Sequence, residues 1–313
     1  MTNTTPQPIS ITPHLFQLGL PSFPVYLSIG EEGMLIEGGT GPTSDIIVRQ
    51  IRDLGIDPSR IKYLALTHTH NDHVGALPRL KKMWPQLEVL GGSIAAKFLK
   101  KDRFIKGFLP DDHMITDILI KRGEIQTAPV PLDEYVFEVD TIITEGDKID
   151  LGAGIIWQVH QTPGHSPCHM SFYEEKEQTL TLGDMTGYFD PCEDVFWPNY
   201  FASLADYCES IKKMASLPAA RGILSHNGVI EGNVNRHLEK ALKATEAYHQ
   251  ELLIRLDRGE DEEQICTDKA DWVCTLGALA SYKVIHFLCR LLINQSLADR
   301  NKDLFSFPEA QAA

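Results

Sequence analysis

Between residues 67 and 73 the chain reads Thr67-His68-Thr69-His70-Asn71-Asp72-His73, three imidazoles and one carboxylate inside six residues. Neutral imidazole nitrogen and carboxylate oxygen are the donors that borderline divalent metals prefer, and four so close together can hardly all serve one ion. The segment therefore demands a fold able to present a crowded loop to two ions. With 12 histidines in 313 residues, chance would produce this pattern on the order of once in a thousand such chains.

The flanking sequence explains the spacing. Residues 61–67 read as a short buried strand, and residues 75–84 carry helix formers, with Pro85 beyond them as a stop. The motif then occupies a strand-to-helix loop. In a locally extended chain His68, His70 and Asp72 project to one side and His73 to the other, so neighbours address different ions. Asp72 also falls near a helix N-terminus, where negative charge is favoured. Further donors close later apolar runs: His165 in Thr162-Pro163-Gly164-His165-Ser166-Pro167 after residues 155–159, Asp184 after residues 179–182, and His226 after residues 222–224. Ligands at strand ends beside glycine suit a rigid sheet presenting an open site.

With these marks, and Glu37-Gly38-Gly39 after an early hairpin, the chain resembles the metallo-β-lactamase-fold hydrolases from about His14 to Ile230. The resemblance implies an α/β fold, the four-layer αβ/βα sandwich, with a dinuclear site at one edge between two sheets. It implies that His68, His70 and His165 hold one ion, that Asp72, His73 and His226 hold the other, and that Asp184 bridges them. Asp72 and Asp184 are then the catalytic carboxylates. The expected cofactor is two divalent ions, zinc foremost, with iron or manganese as alternatives.

Departures narrow the branch. The secreted β-lactamases commonly place cysteine where Asp184 stands and carry an export signal; flavodiiron proteins typically have Glu where His70 stands and append a flavin domain. The nearer likeness is to glyoxalase-II-like thioesterases and the quinolone-signal-response thioesterase, which shares Gly183-Asp184 followed by Gly187, Phe189-Asp190 and Trp197-Pro198, then a helical tail. His169, four residues after His165, fits a group that orients a ligand by hydrogen bonding. Tyr188, Trp197 and Ser281 are candidate substrate contacts. His14, His160 and His286 read as core or rim groups.

The expected domains are residues 1–234, the metallo-β-lactamase-fold unit, with an insertion or lid at about 101–144 where Pro110, Pro129 and Pro131 break the pattern, and a helical extension, 235–313. In that extension residues 235–258 and 277–297 have helical spacing, separated by acidic residues 259–263. These helices complete the core, form a homodimer face, or close over the site. Residues 1–13 read as a polar lead-in rather than an export signal. Six cysteines form no Cys-x-x-Cys pair, and the expectation is reduced thiols in the cytoplasm. No run approaches the ~20 apolar residues of a bilayer span, so no membrane partner is expected.

Charge bears on substrate. The chain has 29 basic and 43 acidic residues, net −14, which disfavours nucleic acid, since phosphate contacts need clustered cations. The one basic stretch, residues 97–106, is either a solvated face or a contact for a phosphate-bearing handle such as that of coenzyme A. Two ions lower the pKa of a shared water from about 15.7 toward about 7, and the resulting hydroxide attacks a carbonyl. A thiolate of parent pKa ~8.5 leaves unaided, whereas an amine needs a proton. The expected substrate is accordingly a small acyl thioester, with lactones and other carboxylic esters as the enzymatic alternative and a regulatory binding protein acting through the tail as the contrasting class.

Overall fold

The chain's computed structural model describes residues 6–277 and 280–307. The first sheet opens with antiparallel strands β1 (Ile9–Thr12), β2 (Leu15–Leu20), β3 (Phe23–Ile29) and β4 (Gly33–Ile36). Parallel strands β5 (Ile61–Ala65), β6 (Glu88–Gly91) and β7 (Thr141–Ile142) extend it in sequence order. Between them lie α1 (Ser44–Asp53), α2 (Asn71–Val74), α3 (Leu77–Met83), α4 (Ser93–Leu99) and α5 (Asp102–Arg122). The second sheet contains β8 (Lys148–Asp150), β9 (Ile156–Gln161), β10 (Met170–Glu174) and β11 (Thr179–Gly183). After a separate hairpin of β12 (Tyr188–Asp190) and β13 (Val195–Trp197), and α6 (Leu204–Ala215), the chain returns with β14 (Arg221–Leu224) and β15 (Val229–Glu231). The spatial order is β15-β14-β11-β10-β9-β8. Helices α7 (Val234–Asp257), α8 (Glu262–Thr275) and α9 (Tyr282–Ala298) follow.

Side-chain alternation along the strands builds the layers. On β3, Val25 and Leu27 face the helices α1 and α3, while Tyr26 between them enters the space between the sheets. On β4, Leu35 faces the helices, and Met34 and Ile36 face the other sheet. The second sheet does the reverse: Phe172 points inward, and Tyr173, Leu180 and Leu182 pack against α6 and the tail helices. Both faces of each central strand are thus covered, and the architecture is the four-layer αβ/βα sandwich. Polar ties cross its inner seam. Trp157 Nε1 donates to Ser28 Oγ at 2.9 Å, and the Tyr26 hydroxyl lies 2.7 Å from Leu224 O and 2.8 Å from Gly228 O.

Two local expectations are corrected. Pro110 does not break residues 101–144 into a loop, because α5 runs continuously through it. A proline forfeits one helix bond, and here burial of Phe104, Phe108, Ile115 and Leu119 holds the helix on both sides. Asp112 adds an anchor by accepting from the Gly41 N–H at 3.0 Å. The acidic residues 259–263 do not simply separate two helices: Asp261 caps α8 by accepting from Gln264 N, and Glu262 and Glu263 form its first turn. Carboxylates are favoured there by the helix dipole. The tail helices share one apolar cluster with α6 and β11. No helix among the described residues is long and apolar enough to cross a membrane.

Tyr26→Phe strips a donor from two carbonyls at the seam, and it is expected to lower the unfolding free energy by about 1–3 kcal/mol. Urea denaturation followed by circular dichroism measures it; an unchanged midpoint would show that the tie contributes nothing.

Candidate metal centre

Parallel pairing aligns the carboxyl ends of the strands, and every candidate ligand hangs from such an end or from a turn beside it. His68 and His70 follow β5; His165 occupies the turn between β9 and β10; Asp184 follows β11; His226 follows β14. Gly183, at φ +57°, ends β11 close under His169, where an added Cβ would sit 2.5 Å from Nε2. Only glycine combines that backbone region with that proximity.

The side chains converge in two groups. His68, His70, His165 and Asp184 place one donor atom each within a single small space, and Asp72, His73 and His226 do so beside it. His70 Nδ1 lies 3.0 Å from His68 Nε2 and 3.0 Å from His165 Nε2. Asp184 Oδ2 lies 3.4 Å from His165 Nε2 and 3.4 Å from His73 Nε2, so this carboxylate faces both groups. Asp72 Oδ2 lies 3.4 Å from His73 Nε2 and 3.6 Å from His226 Nε2. Bonds of about 2.0–2.1 Å in a tetrahedron would separate ligand atoms by about 3.3–3.4 Å, close to what is seen. Asp72 belongs with His73 and not with His68 and His70. The alternation of an extended chain fails there because the chain is already helical from Asn71.

Outer hydrogen bonds decide which ring nitrogens face inward as lone pairs. His165 Nδ1 donates to Asn199 O at 3.0 Å, His226 Nδ1 to Ser22 O at 2.8 Å, and His73 Nδ1 to Glu37 Oε2 at 3.0 Å. Thr67 Oγ1 donates to Glu37 Oε1 at 2.8 Å and therefore accepts from His68 Nδ1 at 3.0 Å. In neutral rings the four Nε2 atoms are then acceptors, directed at each other and at carboxylate oxygens. His73 Nε2 is buried with no hydrogen-bond partner. Acceptors facing acceptors repel unless a cation lies among them, so the donor set fits bound divalent ions.

The electrostatics point the same way. Burial pushes His68 and His165 well below the ordinary imidazole range. Burial would depress His73 too, but Asp72, Glu37 and Asp184 outweigh it and raise His73, a field that favours positive charge. Burial would raise Asp72 and Asp184, yet the surrounding imidazoles hold both well below the usual carboxylate range. His169 is not among the converging donors: its Nε2 accepts from the Asp184 N–H at 3.1 Å, and its Nδ1 lies 2.8 Å from Thr162 Oγ1. His14, His160 and His286 lie outside both groups.

A cavity of about 640 Å³ opens onto the cluster. Its walls are largely apolar and come from α4, α5, the loop after β13 and α9; Tyr188 and Trp197 both line it. The Tyr188 hydroxyl is donated to Leu276 O at 3.2 Å. Ser281 is not on this wall: its hydroxyl caps α9 by accepting from Val284 N, and Ala280, Val284 and Leu288 are the tail residues that line the cavity. Sequence reading missed the anchoring groups, Glu37 above all. The one signal for it was an acidic residue before paired glycines at a strand end.

The sequence profile of the metallo-β-lactamase superfamily matches residues 19–226. The chain belongs to that superfamily. It is 24% identical over 241 residues to the lactamase-like protein ptaB of Pestalotiopsis fici, covering 76% of this chain and 60% of that protein. It is 23% identical over 249 residues to the atrochrysone carboxyl ACP thioesterase of Aspergillus fumigatus, covering 77% and 62%. The chain thus spans somewhat under two thirds of the length of these relatives. A solved metallo-β-lactamase family protein from Thermus thermophilus superposes with TM-score 0.62 at 21% identity, covering 92% of each chain, which shows the shared fold.

Two outcomes are expected of this metallo-β-lactamase-superfamily site. Glu37→Gln replaces one of the two accepting oxygens with an amide donor, so it cannot serve both His73 and Thr67, and it should weaken metal affinity about 10–100-fold, read by competition with a chromophoric chelator; unaltered affinity in a folded variant would remove Glu37 from the site's support. Burial lowers His169 to about 4, so as pH falls from the ordinary value of about 6.5 the unfolded chain takes a proton that the folded chain refuses. Stability of the metal-free protein contributed by His169 is complete above that window and lost through it. Urea midpoints across this range should decline less steeply for His169→Gln than for the parent.

Proposed function

We propose that this chain is a dinuclear metal-dependent hydrolase of acyl thioesters. The observation that carries the reading is the meeting of two ligand groups around Asp184 at the foot of an apolar cavity. His68, His70 and His165 would hold one ion, Asp72, His73 and His226 the other, with Asp184 between them. Ions held there would activate a water molecule and polarise a carbonyl oxygen. Zinc is the ion we favour for this set of nitrogen and oxygen donors.

The chain's own residues supply orientation and exclusion of water. His169 fixes the backbone at Asp184, Asn199 O and Ser22 O fix the planes of His165 and His226, and Phe23, Trp197 and Phe201 leave an apolar lining beside the ligands. Such a lining suits an acyl group, and a thiolate leaves without a proton donor. The resemblance to a protein named as an ACP thioesterase supports the same choice. Asp111 favours a second reading. It lies on the cavity wall with a carboxyl raised by burial and by the charge of Asp72, and it accepts from Asn71 Nδ2. A carboxyl so placed is positioned to pass a proton to an alkoxide leaving group, so carboxylic esters or lactones are the alternative substrates.

Thiol release from acyl thioesters, with lactones assayed in parallel, tests the choice in metal-loaded and chelated protein. Metal-dependent thiol release is expected; turnover of lactones alone would move the assignment to esters. Asp184→Ala should lower turnover at least about a thousandfold and reduce bound metal while the circular dichroism spectrum stays native. Full activity in that variant would end the proposal.

A further inference from the structure

In a chain of net charge −14, residues 97–106 carry Lys97, Lys100, Lys101, Arg103 and Lys106 against one acid, Asp102. All five cations are exposed, and among the described residues none of their side chains forms an ion pair or a hydrogen bond. Lys101 instead lies over the Phe98 ring, 5.0 Å from its centroid. Lys101 and Arg103 line the same cavity that reaches the ligand cluster. Asp111 on the same helix lies beside Asn71 of the ligand loop. Eight residues of helix separate Arg103 from Asp111, a distance of about 12 Å along the axis at 1.5 Å per residue. The cavity therefore has a reacting end and a cationic end, with apolar side chains such as Phe98, Phe104 and Met114 on its wall.

We propose that Lys101 and Arg103 bind the phosphate of the thiol carrier, so that this site selects acyl thioesters of the phosphopantetheine type. The proposal rests on the hydrolase reading above and adds the carrier to it. A pantetheine arm is uncharged and about as long as four extended residues, about 14 Å, which matches the spacing between the two ends. An anion only a few bonds from sulfur would not reach the cations. Two unpaired cations at the rim of a low-dielectric cavity attract phosphate more strongly than they would on an open surface. Coenzyme A and the prosthetic arm of a carrier protein share this phosphate, and the nucleotide distinguishes them.

The test uses the full metal-loaded chain and one acyl group on three thiols: pantetheine, 4′-phosphopantetheine and coenzyme A. The phosphorylated thioesters should show kcat/KM about tenfold or more above the pantetheine thioester, mainly through KM, with the advantage shrinking as salt is added. In the double variant K101A/R103A the ratio should fall to about one, while K106A, off the cavity wall, retains it. Equal kcat/KM on all three thiols in the parent, or an advantage that survives in the double variant, would overturn the proposal. Similar rates on phosphopantetheine and coenzyme A would assign recognition to the phosphate they share; a large excess for coenzyme A alone would overturn that assignment in favour of the nucleotide. If the parent cleaves none of the three, the thioesterase reading fails on its own, and calorimetric titration with phosphopantetheine and pantetheine decides the subsite. Tighter binding of the phosphorylated compound, lost in K101A/R103A, would uphold it, and equal affinities would remove it.

Discussion

Glu37 is a carboxylate at 1% exposure with a backbone φ of +77°, two conditions that each cost free energy in isolation. It is retained because three donors surround it: Thr67 Oγ1, Ser225 Oγ at 2.6 Å and His73 Nδ1. Those donors follow β5, follow β14 and belong to α2, so one anion joins both sheets and the ligand loop. Removing water from it strengthens each bond, and the same bonds set the ring planes of His73 and, through Thr67, of His68. The geometry of the two ligand groups is in this sense inherited from a residue that belongs to neither.

Much of this was legible from local pattern. The strands before His68, Asp184 and His226 showed as short apolar runs because both faces of each are covered, and the helix ending before Pro85 showed by composition and stop signal. The misreadings have physical causes. Alternation placed Asp72 with His68 and His70, yet one helical turn beginning at Asn71 rotates Asp72 toward His73 and His226. Pro110 suggested a break, but buried neighbours on both sides outweigh one missing bond. Ser281 looked like a contact, whereas a hydroxyl just before a helix is more readily used as its cap. The support from Glu37, Ser22 and Asn199 was invisible since it joins residues 34 to 204 positions apart along the chain.

Floor and walls of the cavity are built differently. The floor consists of donors at or near strand ends, and the imidazoles of His68, His73, His165 and His226 are each fixed by a hydrogen bond on the far side. The walls come largely from α4, α5, the segment around the β12–β13 hairpin and α9, elements outside the two sheets. Candidate metal ligands thus sit on the sheet framework, and most of the surface that would meet a bound molecule sits on elements added around it, where folds commonly vary.

The tie from Tyr26 to Leu224 spans 198 residues and has a consequence for biosynthesis. The second ligand group is closed by His226, so a nascent chain must extend past that position before both groups can exist. Even then they assemble only when β14 docks against the β3 side of the seam. Contacts of such sequence separation form late because loop closure precedes any return from them. Until that docking, the histidines from residue 68 to 73 form an open, exposed cluster of borderline donors. For the growing polypeptide, capture of the wrong ion is thus a hazard of the interval between synthesis of the first motif and arrival of the last.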